Sequence, residues 1–141
     1  MKTINPYLNF NGNCEEAFTF YKSVFGTDFI VIQRFKDLPP EVPSPVGSDE
    51  NIMHVSLPVG KQNILMGCDV PAAMGRTTIG NNFHVSISTE SEEETTMLFT
   101  ALSTGGKITM PLDKTFWGSY FGMCTDKFGI QWMVNYDYNA M

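Results

Sequence analysis

The sequence is short of positive charge. Nine Lys and Arg stand against fifteen Asp and Glu, a net charge of -6, and the nine are scattered along the chain. A protein that follows a phosphate backbone neutralises it with clustered Lys and Arg, so nucleic acid is not an expected partner. Long apolar runs are missing too. No stretch approaches the ~20 residues of a membrane span, and the opening MKTINPYLN has no apolar segment of the secretory kind. A cytoplasmic protein without a membrane partner is expected. Cysteine is sparse: Cys14, Cys68 and Cys124 lie far apart with no CxxC or zinc-type Cys/His spacing, which reads as three reduced thiols. No GxSxG elbow and no Ser/His/Asp ordering is visible, which removes the common nucleophilic hydrolases. No GxGxxG follows any strand candidate, so a nucleotide cofactor cradled on a strand-to-helix turn is not expected.

What is present suits one compact domain over residues 1–141. At 43% hydrophobic residues, a chain of this length buries roughly two-thirds of the surface its unfolded form exposes. Neither disulfides nor a metal is needed to hold it together.

A strand-helix-strand pattern occurs twice. Tyr7-Leu8-Asn9-Phe10 alternates like a half-buried strand, and from Cys14 to Phe25 apolar residues recur at three- and four-residue steps, the mark of a helix with one apolar face. Asn13 and Glu16 read as a capping pair, and Gly26 is placed to end the helix. Strands are predicted at Asp28–Phe35, Ile52–Val59 and Asn63–Val70, the last two joined by Gly60-Lys61-Gln62. In the second half a strand over Phe83–Thr89 leads to a helix opened by Ser91 and Glu94. Its stripe is Met97, Leu98, Ala101 and Leu102, and Gly105-Gly106 ends it. Strands follow at Lys107–Pro111, Tyr120–Thr125 and Ile130–Tyr136. The Leu38–Asp49 segment, with four prolines, reads as an exposed connection, and Pro71–Asn82 as the link between halves.

The expected fold is therefore α+β, with paired βαβββ modules at about residues 1–70 and 81–141. Each module leaves one sheet face uncovered by its helix, and two such faces together would form a curved mixed sheet around a cavity.

The runs PYLNFNGNCEEAFTFYKSVFG (Pro6 to Gly26), MHVSLPVGKQNILMGCD (Met53 to Asp69) and GGKITMPLDKTFWGSYFGMCTDKFGIQWMVN (Gly105 to Asn135) span nearly the whole chain. Together they resemble the PhnB-like branch of the glyoxalase/bleomycin resistance/dioxygenase group, within the vicinal-oxygen-chelate superfamily. The resemblance implies that fold and a homodimer. Many members of the branch carry a demethylubiquinone methyltransferase label, an activity not expected here because no Gly-rich turn offers to hold the adenosyl cofactor.

The wider superfamily holds one divalent metal with His, Glu or Gln from the first and last strand of each module. The matching positions here fall at Asn5 or Pro6, at Ile64-Leu65-Met66, at His84, and at Met133 flanked by Gln131 and Asn135. A thioether is too soft for Mg²⁺ or Mn²⁺ and neutral amides bind divalent ions weakly, so neither a metal site nor any other cofactor is expected. His84, which would share a strand face with Asn82, Ser86 and Ser88, reads as a hydrogen-bonded lining residue. His54, beside Ser56, reads first as structural, with acid or base work the sharper alternative. Glu15, Glu16, Glu92, Glu93 and Glu94 suit the first turns of helices, and Asp69 and Asp126 suit turns.

Two functions remain open, beside a third in which the chain only scaffolds a partner through its dimer surface. One is a metal-independent module binding a small apolar or aromatic ligand, with Tyr7, Asn9, His54, His84, Trp117 and Gln131 as ligand-contacting residues; Trp117 would stack on that ligand or on a partner subunit. The other is a lyase, isomerase or dioxygenase with a degenerate metal site in which His84 and Gln131 or Asn135 are ligands. No residue is assigned a catalytic role.

Overall fold

A computed structural model describes residues 2–43 and 47–139. In chain order they form β1 (Tyr7–Phe10), α1 (Cys14–Phe25), β2 (Val31–Arg34), β3 (Ile52–Val59), β4 (Asn63–Asp69), β5 (Val85–Ser88), α2 (Glu92–Ser103), β6 (Lys107–Lys114), β7 (Ser119–Thr125) and β8 (Gln131–Asp137). Single 3-10 turns at Phe35–Asp37 and Ala72–Met74 complete the set. The order βαβββ is thus realised twice. The strands form two mixed four-stranded sheets, ordered β1-β4-β3-β2 and β5-β8-β7-β6. Contacts divide the chain into two units, Met1–Thr78 and Ile79–Met141.

In the first unit α1 covers one face of its sheet. Cys14, Ala17, Phe18 and Tyr21 are fully buried from the helix side, and Leu8, Phe10, Val55, Leu57 and Leu65 from the sheet side. The layers approach so closely at Gly67 that a Cβ there would lie 2.7 Å from both the Phe18 ring and the Leu8 carbonyl oxygen. A side chain at this point would push the helix off the sheet. β1 joins β4 in parallel, while β3 pairs antiparallel with both β4 and β2.

The second unit repeats the arrangement. Thr95, Leu98, Phe99 and Leu102 of α2 are buried, as are Cys124, Trp132 and Val134 of the sheet. Gly122 is the close-approach point, where a Cβ would lie 2.8 Å from the Phe99 ring. Asp126 occupies the β7–β8 turn as expected for its type. Its Oδ1 accepts the amides of Phe128 and Ile130, and its Oδ2 accepts the Trp132 indole N–H at 2.8 Å.

Several local expectations are corrected. Asn13 makes no side-chain cap. Asp69 takes that role: it is not in a turn but buried at the end of β4, where Oδ1 accepts the Gly12 and Cys14 amides and Oδ2 the Ile52 amide, each at 2.9 Å. Gly26 does end α1, with φ 68°. β2 is shorter than expected because the chain turns at Phe35, whose carbonyl accepts the Leu38 amide, while the Asp37 carboxylate accepts the Arg34 amide. Met97 is 62% exposed, and Thr95 lies inside in its place. The Thr95 hydroxyl is satisfied by the Ser91 carbonyl and by Thr89, which removes the cost of burying it. Ser91 caps α2 through Oγ to the Glu94 amide, but the Glu94 carboxylate reaches the Glu90 amide rather than that of Ser91. β6 continues through Pro111, which an edge strand tolerates because no neighbour needs its missing N–H. Of the Leu38–Asp49 connection, Ser44–Val46 lies outside the described residues; Pro39–Pro43 is exposed and Ser48 is buried.

Candidate functional site

Alternation along the strands decides which side chains are left uncovered by a helix. In the first sheet Leu8 and Phe10 point toward α1, so Tyr7 and Asn9 point away from it. Register carries the same side across the sheet: Tyr7 is opposite Met66, Asn9 opposite Cys68, Met66 opposite Ser56, and Gln33 opposite His54. The helix-free face of unit one thus gathers Tyr7, Asn9, Gln33, His54, Ser56 and Cys68. Three of the six expected ligand-contacting residues, Tyr7, Asn9 and His54, stand together there.

They are linked. The Tyr7 hydroxyl and His54 Nδ1 are 3.0 Å apart, and the two rings stack at 5.7 Å between centroids, with planes 25° apart. His54 Nε2 is 3.0 Å from Oγ of Ser56, a serine only 7% exposed. The Cys68 thiol donates to Asn9 Oδ1 at 3.5 Å. Burial, reinforced by the neighbouring Cys68, pushes the Tyr7 phenol up to about 12. Burial likewise raises Cys68, with the Tyr7 hydroxyl acting against it. Phenol and thiol therefore both keep their protons near neutrality, so Cys68 is not an activated thiolate. A protonated phenol beside an imidazole leaves two proton arrangements along the chain. Tyr7 donates to Nδ1 while Nε2–H donates to Ser56, or Ser56 donates to Nε2 while Nδ1–H donates to Tyr7. Either one presents a donor or acceptor to a ligand at each end.

The other three expected residues belong to the second unit. His84 is half-buried and precedes β5 rather than lying within it. Gln131 begins β8, and its side-chain amide donates to the Phe83 carbonyl at 2.5 Å, so it is anchored to backbone. Trp117 sits in the β6–β7 turn, 54% exposed, against Phe116 and Phe121 at ring separations of 5.0 and 6.0 Å. Ser56 and Cys68 are the residues that sequence reasoning left without a role. Ser56 carried a signal in its i+2 spacing from His54, whereas Cys68 meets Asn9 only through the parallel β1–β4 register.

The donors do not fit a hard divalent metal. Pro6 has no side-chain donor, and Asn5 Oδ1 is already 3.2 Å from the Ile64 amide it accepts. Met66 and Met133 offer only thioethers. Among the described residues no three His, Cys, Asp or Glu side chains are grouped to hold an ion. An adenosyl cofactor fits no better at the β1–α1 turn, because the Gly12 and Cys14 amides that open the helix are both taken by Asp69. No helix is long and apolar enough to cross a membrane among the described residues.

Comparison with known proteins accords with this architecture. Residues 2–135 match the family model described as 3-demethylubiquinone-9 3-methyltransferase. Protein YjdN of Escherichia coli (strain K12) is 31% identical over 140 residues, covering 94% of this chain and 93% of that one. The crystal structure of protein PA1353 from Pseudomonas aeruginosa is 39% identical with a TM-score of 0.84, covering 97% of this chain and 98% of the other. A putative 3-demethylubiquinone-9 3-methyltransferase, PhnB protein, from Bacillus cereus is 27% identical with a TM-score of 0.74, covering 96% and 99%. Structures described as glyoxalase/bleomycin resistance/dioxygenase proteins share the fold at lower identity. The chain belongs to the family of that model, which is PhnB-like, and it has the fold of the glyoxalase/bleomycin resistance/dioxygenase proteins.

Proposed function

We propose that this protein is a metal-independent binder of a small apolar or aromatic molecule, working as a homodimer in the cytoplasm, and that methyl transfer is not its activity. The observation that carries the reading is the Tyr7–His54–Ser56 hydrogen-bonded chain on the helix-free face of the first sheet. A stacked phenol-imidazole pair offers a flat apolar surface together with polar atoms whose donor and acceptor roles can exchange. That combination suits a planar molecule bearing a hydroxyl or carbonyl group. Asn9 supplies a further polar contact, and Gln131, His84 and Trp117 are the corresponding candidates in the second unit. Three thiols, none in a disulfide, suit a reducing compartment. The exposed Phe116 and Trp117 suit a subunit contact.

1-Naphthol, a neutral aromatic with one hydroxyl, tests the reading by backbone amide NMR. Saturable shifts centred on Tyr7, Asn9 and His54, weakened in Tyr7→Phe and His54→Gln, are expected. Shifts scattered over the surface, or unaffected by both substitutions, would overturn it. The metal question has its own assay, the metal content of protein purified without chelator. Stoichiometric divalent metal that disappears in His84→Ala would replace this reading by the metal-dependent lyase, isomerase or dioxygenase.

A further inference from the structure

Three methionines stand side by side on the second sheet. Met110 on β6 is opposite Met123 on β7, and Met123 is opposite Met133 on β8. Directly opposed residues on neighbouring strands point to the same side; the β6–β7 register shifts on either side of Met110, which itself stays paired with Met123. Strands lie ~4.8 Å apart, so the row spans about 10 Å of sheet. That side is the one away from α2, since Gly122 and Cys124, which alternate with Met123, face the helix and are buried. Met123 and Met133 are half-buried and Met110 is 42% exposed, so solvent reaches the row. The register places no carboxylate or imidazole in it; the next partner, on β5, is Ser86.

A lone methionine on a sheet is ordinary packing material. Three in register on a helix-free face are a donor set. The thioether is a soft, neutral ligand that selects Cu(I) over Mg²⁺, Ca²⁺ or Mn²⁺. Each methionine also has three rotatable bonds, so the outer two side chains can lean toward Met123 without moving the backbone. The carboxylate nearest in register is Asp113, opposite Phe121, one step along from Met123 on the same side. We propose that Met110, Met123 and Met133 bind one soft monovalent ion of the Cu(I) class through their three sulfur atoms. The ion arrives and leaves as Cu(I), with no electron transfer at the site. This inference does not depend on the ligand proposed for the first unit, and it concerns a different class of metal from the one the donor set rejects.

Ag(I) is the redox-inert probe. Full-length protein carrying Cys68→Ser, which removes the half-buried thiol, and 13C-methyl methionine is titrated with Ag(I) and followed by methyl NMR. The Met110, Met123 and Met133 signals are expected to shift together and saturate at one equivalent, while Mg²⁺ leaves all three unmoved. Met123→Leu, which nearly conserves volume, is expected to abolish the one-equivalent endpoint; Met133→Leu serves the same purpose if that variant does not fold. Unmoved methyl signals, or an endpoint that survives either substitution in a folded variant, would overturn the proposal.

Discussion

Asp69 caps the helix that begins at Cys14, accepting the Cys14 amide at 2.9 Å although 55 positions separate the two residues. The same carboxylate holds the Gly12 amide in the preceding turn and the Ile52 amide at the start of β3. One side chain therefore ties three segments together in the interior of the first unit. Asp69→Ala leaves buried amides without acceptors and is expected to cost about 3 kcal/mol. Asp69→Asn, which keeps one acceptor oxygen, should cost less. Urea unfolding midpoints measure both, and an unchanged midpoint in Asp69→Ala would show that the three bonds add nothing.

Tyr7 makes the protein sensitive to alkali. Its folded-state pKa of about 12 lies above the ordinary 10.0. The unfolded chain therefore loses this proton first as pH rises. The contribution is complete below about pH 10 and is lost as pH climbs through about 12. Stability should fall over that window in the native protein and fall less in Tyr7→Phe, as read from urea midpoints at successive pH values. Tyr138, also raised to about 12 by desolvation and by its hydrogen bond to Glu92, is common to both proteins and cancels in the comparison.

Gly122 has no room for a side chain: an added Cβ meets the Phe99 ring at 2.8 Å and Leu112 at 3.0 Å. Gly122→Ala is expected to destabilise by about 1–3 kcal/mol through overpacking. The first atom met is a side chain, so Phe99→Leu should restore part of the loss when combined with it. A double variant no more stable than Gly122→Ala would place the strain on the backbone of Leu112 instead.

Trp117 is the test of the proposed homodimer. Trp117→Ala should shift the mass measured by light scattering from dimer toward monomer, with the far-ultraviolet circular dichroism spectrum unchanged. A dimer that persists unaltered would remove Trp117 from the interface.

Element order, both helices and five of the eight strands at or within one residue of their ends were legible in the sequence, because apolar spacing and the glycines at 26 and 60 mark them locally. The features that failed were those set by distant partners. Asn13 has the right chemistry for a cap, but Asp69, brought alongside by the β1–β4 pairing, holds the amides instead. Met97 matches a helical stripe as well as Thr95 does, yet Phe99 must sit over Gly122, and that contact fixes which side of α2 turns inward. At the candidate site, His54 and Tyr7 could be named singly. Their hydrogen bond could not, since it depends on β4 standing between their strands. The methionine row was hidden for the same reason, because its members come from three strands and only register aligns them.

The parallel pairing of β1 with β4 sets an order of events during folding. Asn9 meets Cys68 only after 59 further positions have been laid down, and β5 waits in the same way for β8. Neighbouring hairpins can form early, whereas each leading strand must be captured late, and contacts so distant in sequence slow folding. On a ribosome, the opening segment of the chain would emerge and remain unpaired until the Cys68–Asp69 region had followed it out, which makes that interval the time when this protein is most exposed to wrong partners.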